Sequence, residues 1–178
     1  AIKIHQDVLY MKCSLCIDLM YLEFGPAGPI FSDTKKLLAG MELAKKVGYT
    51  AVEFWDWDTR DYKALLEKKE ALGLEVTAIC AKNRGKLADP STHGAAVEGM
   101  KETIEVAKQF HCPNIIIVAD KMSGFTKEES HRNIIDGLML LAPLAEEGGV
   151  TLILEPIVGS YFTDSAEPFE MIDAVGSK

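Results

Sequence analysis

The sequence predicts a parallel α/β fold, and three observations carry that reading. Five short apolar segments alternate with five segments of helical periodicity along the 178 residues, without a break. The fourth apolar run, NIIIVA at 114–119, is almost wholly β-branched, as expected of a strand covered on both faces. Capping residues stand at the helix boundaries, with Asp, Ser or Thr before and Gly after. Such alternation implies parallel strands joined by right-handed crossovers.

The first strand is expected over 13–20. Ser32, Asp33 and Thr34 then offer N-cap chemistry to a helix whose Leu37, Leu38, Met41, Ala44 and Val47 fall at helical spacing. Gly48 closes it at C′. A second strand covers 51–57, and a second helix covers 61–72 and stops at Gly73. The third strand, 75–81, runs into the polar loop KNRGKLADPSTHG. A helix over about 95–111 follows, with Val97, Met100, Ile104 and Ala107 on one face. After the fourth strand, a helix spans about 127–147 and is expected to bend near Pro143, since proline interrupts helical bonding. Strand five is 150–155, and Asp164 and Ser165 cap a last helix finishing at Gly176.

No linker or low-complexity tract divides the chain, so 1–178 reads as one domain, with 1–10 a candidate leader or tag ahead of Met11. Pattern alone leaves two architectures open. One is an open doubly wound sheet of flavodoxin type, a non-catalytic module among its readings. The other is the front of an eight-stranded barrel of about 250 residues.

Composition narrows the partners. Hydrophobic residues make up 48% and charged ones 26%, ordinary for a soluble globular chain. Lys plus Arg number 19 against 27 Asp plus Glu, a formal charge of −8, so no nucleic-acid partner is expected. No apolar run approaches the roughly 18 residues that span a bilayer, and no membrane association is expected. The N-terminal stretch lacks the order of a secretory signal. Cys13 and Cys16 form a C-x-x-C, but no second such pair or zinc-spaced histidine pair follows. With Cys80 and Cys112, they read as buried reduced thiols, which points to the cytoplasm.

Three segments bear on function: KKVGYTAVEFWDW (45–57), AKQFHCPNIII (107–117) and LAPLAEEGGVTLILEPI (141–157). In order and spacing they resemble hydroxypyruvate isomerases and the wider xylose-isomerase-like group of sugar-phosphate isomerases and epimerases. The resemblance runs from about Met11 to Lys178. It implies a (β/α)8 TIM-barrel fold, here truncated to about five βα units. It also implies a small sugar or hydroxy-keto acid as substrate, and a divalent cation (Mg, Mn, Co or Zn) as cofactor.

The resemblance makes Glu155 both metal ligand and one of two acid/base carboxylates. The residues themselves support its placement. On strand five, Leu152 and Leu154 share the face suited to outer helices, which turns Thr151, Ile153 and Glu155 toward the barrel axis. Pro156 ends the strand and leaves Glu155 at the C-terminal rim, where such barrels place their chemistry. In the group, the other metal ligands stand on strands six to eight. The chain alone is therefore expected to bind metal weakly and not to isomerise, and its open strand edges to favour self-association.

Weaker candidates for substrate binding are Glu53 and Trp55, which share a face of strand two, and Lys82, Asn83 and Asp120 at the ends of strands three and four. For Glu53, a salt bridge with a rim lysine is an equal alternative. Trp55 and Trp57 wall a pocket or pack a core, and for the other polar residues plain solvation is the blander reading. His111 falls in a turn on the opposite rim, His93 in a loop and His131 on a helix surface, while His5 belongs to the leader. A competing reading is an AP-endonuclease-like metal-dependent hydrolase, which shares the barrel; the charge of −8 weighs against it.

Overall fold

The computed structural model describes residues 13–26 and 28–177. The chain runs β1 (Ser14–Cys16), a hairpin of β2 (Glu23–Gly25) and β3 (Gly28–Ile30), α1 (Thr34–Lys46), β4 (Ala51–Glu53) and α2 (Tyr62–Leu72). It continues through β5 (Glu75–Cys80), a 3-10 turn (Pro90–Thr92), α3 (His93–Phe110), β6 (Asn114–Val118), α4 (Lys127–Gly148), β7 (Thr151–Glu155) and α5 (Ala166–Val175).

Local chemistry explains the helix ends. Asp33 accepts from the Lys36 amide at the start of α1, and Asp61 accepts from the Ala64 amide at the start of α2. Thr126 and Glu129 form a reciprocal capping box on α4. For α5, Asp164 does the capping, accepting from the Ala166 and Glu167 amides, while Ser165 makes no side-chain cap bond. Pro143 lies inside α4 without splitting it.

Topology separates the two architectures. Five strands form one parallel sheet in the order β1-β4-β5-β6-β7, which follows the chain with no reversal. A doubly wound sheet reverses its order at a switch point and carries helices on both faces. Here the main core joins a single face, including Val52, Ile79, Ile115, Ile117, Leu152 and Leu154, to residues from all five helices, such as Met41, Leu65, Met100, Leu138 and Met171. The opposite face carries a small cluster of Ala78, Cys80 and Ile116 against Trp55. That is the inside of a barrel wall, and the flavodoxin-like alternative falls with it.

Several expectations need correction. The first strand stops at Cys16 and the second at Glu53, both short of expectation. The hairpin of β2 and β3 was not foreseen. Cys13 is exposed and Cys16 half-buried, so only Cys80 and Cys112 are buried thiols. His93 opens α3 partly buried, bonded to the Leu87 carbonyl at 2.9 Å, rather than sitting in a surface loop. His131 also leaves the plain surface, its Nδ1 lying 3.3 Å from the Tyr161 hydroxyl. His5 and the 1–10 segment lie outside the described residues.

Candidate functional site

A cleft of about 450 Å³ opens at the C-terminal ends of the parallel strands. Its walls come from the loop before α1 (Phe31), the segment after β4 (Trp55, Asp56, Asp58), the loop after β5 (Lys82, Asn83, Arg84) and the ends of β6 and β7 (Asp120, Glu155, Ile157). Cys80 and Val118 form the inner floor.

Glu155 is the last residue of β7 and pairs in register with Val118. Leu152 and Leu154 pack on the helix side, so strand alternation turns Glu155 inward. Burial pushes its carboxyl above the usual glutamate range; the Glu53 charge adds to that push, and Arg84 opposes it. Glu53 thus stands close enough to be felt. It accepts the Trp55 indole N–H at 3.4 Å, and no lysine pairs with it among the described residues.

The remaining sequence candidates divide by what holds them. Trp55 faces the cleft, with Phe31 edge-on to its ring at 5.7 Å. Trp57 is buried in the core, donating to the Thr103 hydroxyl at 3.3 Å. Lys82 lines the wall, but its amine lies 2.7 Å from Glu102 on α3. Asn83 takes a left-handed backbone (φ 58) and donates to the Ala95 carbonyl at 3.0 Å, an anchoring role for α3. Asp120 is gripped through its backbone, donating to Gly85 at 2.7 Å and bridging to Ser160.

Sequence reasoning missed several residues that the fold brings here. Arg84 forms an ion pair with Asp56 across the cleft. Beneath them Asp18 and Arg60 make a second, fully buried pair at 2.6 Å. Arg60 also binds the carbonyls of Ser32 and Asp56, while the other Asp18 oxygen accepts the Trp55 amide at 2.7 Å. This network ties the loop before α1 to the segment after β4 and fixes Phe31, Trp55 and Asp56. Only the charges in the loops could have signalled it, and spacing does not reveal pairs 28 or 42 residues apart.

Among the described residues, no three side chains of His, Cys, Asp or Glu gather as a metal-binding group. Glu155 offers the hard oxygen that a divalent cation takes, yet one carboxylate is far from the several oxygens such ions require. It fits as one ligand of a larger set.

A family model described as "xylose isomerase-like TIM barrel" matches residues 41–178. The hydroxypyruvate isomerase of Escherichia coli K12 is 25% identical over 152 residues, covering 78% of this chain and 59% of that protein. The chain thus spans well under two thirds of that relative. Among solved structures, an AP endonuclease of family 2 from Brucella melitensis superposes with a TM-score of 0.72 at 16% identity, over 79% of this chain and 59% of that one. The IolI protein, solved with a bound zinc atom, gives 0.69 at 20% identity, over 93% and 59%. At such identities the two structures speak for the fold.

Proposed function

We propose, given that this chain belongs to the xylose isomerase-like TIM barrel family, that it serves an isomerase or epimerase of small sugars or hydroxy-keto acids, with hydroxypyruvate the foremost candidate. One observation carries the reading: a carboxylate with a raised pKa stands at the strand end facing the cleft, where barrel enzymes place their chemistry.

Moving a carbonyl to the neighbouring carbon requires a proton to leave one carbon and return to the other through an enediolate. Ionised Glu155 is the base for the first step and, once protonated, the acid for the second. Its raised pKa makes it a stronger proton acceptor than an exposed glutamate. Trp55 and Phe31 wall one side of the cleft and keep bulk water from the intermediate. A divalent cation (Mg, Mn, Co or Zn), when bound, polarises the carbonyl and hydroxyl oxygens. Glu155 would be one of its ligands, with others needed to complete the sphere. Glu53, Trp55, Lys82, Asn83 and Asp120 are proposed to shape the substrate site around it.

The test is a chimera in which this chain replaces the matching part of the E. coli hydroxypyruvate isomerase. It is expected to isomerise hydroxypyruvate, and Glu155→Gln to lower turnover by roughly 10²–10⁴-fold. A folded chimera that keeps full turnover after that change would overturn the reading. The 178-residue chain by itself is expected to bind Mn²⁺ weakly and to show no turnover. The hydrolase reading finds less support: the chain carries a formal charge of −8, the wrong sign for a broad phosphate-backbone surface.

A further inference from the structure

We infer that Arg84 receives the carboxylate of an anionic substrate in this cleft, and that Asp56 holds its guanidinium in position until the substrate arrives. The inference rests on the isomerase reading for the kind of substrate, but the binding it describes is tested separately.

The mount of Arg84 is rigid. The next residue, Gly85, has φ +106, and a Cβ there would meet a carboxylate oxygen of Asp120 at 2.4 Å. Gly85 bridges Ala119, and its carbonyl accepts the Asp120 amide at 2.7 Å. The loop is thus clamped to the end of β6 immediately beside Arg84, and only glycine suits that clamp.

The guanidinium is incompletely used. Its Nη1 donates to Asp56, and the two side chains are 22% and 18% exposed. A guanidinium carries five N–H donors. Among the described residues, Nε and Nη2 of Arg84 have no protein acceptor. A partly buried cation with a free edge is suited to a planar anion, because a carboxylate accepts two parallel N–H bonds from that fork. Lys82, the other cation in the wall, already spends its amine on Glu102.

The surrounding charges add orientation. Asp58, Asp120 and Glu155 are acidic and Lys82 is engaged, so Arg84 is the residue lining the cleft that offers free cationic donors to an anion. An anionic three-carbon keto acid therefore enters with its carboxylate toward Arg84, leaving its remaining carbons for Glu155. A neutral sugar offers the fork only uncharged oxygens and gains less from it. Arg84 would thus separate hydroxy-keto acids from neutral ketoses.

Hydroxypyruvate and dihydroxyacetone make a matched pair of probes, since one has a carboxylate where the other has a hydroxymethyl group. Each is titrated into the whole chain, and binding is followed by amide NMR shifts around Gly85. Hydroxypyruvate is expected to bind tighter by on the order of tenfold. Arg84→Gln should erase that preference, and Arg84→Lys should keep part of it. Asp56→Asn should strengthen hydroxypyruvate binding and leave dihydroxyacetone unchanged. Loss of both ligands together in Arg84→Gln, with Asp56→Asn behaving alike, would mean a merely structural ion pair and overturn the inference. So would a wild-type chain that binds both probes equally or neither. A carboxylate preference in a chimera that never isomerises would defeat the isomerase reading while leaving this one standing.

Discussion

Asp18 has no exposed surface, and a carboxylate in that position must be matched. It is matched twice, by Arg60 at 2.6 Å and by the Trp55 amide at 2.7 Å. Burial still pushes its carboxyl upward against those two partners. Removing one member strands the other, so Asp18→Ala should destabilise the protein by about 3–5 kcal/mol in urea unfolding. Replacing Asp18 and Arg60 together by apolar residues should cost less than the single change, and an equal or larger loss would refute the pairing. Glu155 runs the other way. Because its folded pKa is raised, the folded chain holds that proton more tightly than the unfolded one. The stabilising contribution is complete below the ordinary value of about 4.3 and is lost as pH rises through the folded value. Glu155→Gln should therefore unfold at higher urea than wild type at pH 7, with the gap closing as pH falls to about 4. A gap independent of pH would show that burial of the charge is not what Glu155 endures.

At the scale of elements, α3 presses on the rim of the sheet through Gly99. A Cβ at Gly99 would lie 2.3 Å from the Lys82 carbonyl, a backbone atom that cannot swing aside. Helix propensity alone predicts that Gly99→Ala stabilises by about 1 kcal/mol. The contact should win, with a net loss of about 1–3 kcal/mol by the usual cost of overpacking; a stabilised variant would mean that α3 yields easily. The same tension between local and distant causes explains what the sequence disclosed. Asp33, Gly73 and Gly176 cap their helices as expected because a cap bond involves residues three or four apart. Strand lengths were less legible. β4 ends at Glu53 because the Trp55 amide turns to Asp18, a partner 37 residues away. Glu155 could be placed because proline and strand alternation act on the spot. Phe31 and Arg84 could not, since tertiary pairing brings their loops to the cleft.

Among the described residues, the order of strands leaves β1 and β7 as the two outer members of the sheet. Beside β7 lies an apolar groove of about 530 Å³, built from Leu138, Ala142, Val150, Leu154, Ile172 and neighbours. Ile153 on the inner face is 38% exposed and Phe169 on α5 is 69% exposed. An open parallel edge flanked by apolar surface invites pairing with another chain. The occupant expected for the isolated protein is a second copy of itself, held off by the mutual repulsion of chains carrying −8 each. The two terms respond oppositely to salt. Screening shortens the reach of the repulsion to about 8 Å at 0.15 M and about 3 Å at 1 M, while apolar burial is undiminished. Sedimentation should therefore show a larger associated fraction as salt rises. Ile153→Lys, which sets a charge on the open inner face, should return the chain to monomer at every salt concentration. A wild-type chain that stays monomeric at 1 M salt would mean that the β7 edge is protected by its own twist and length rather than by charge.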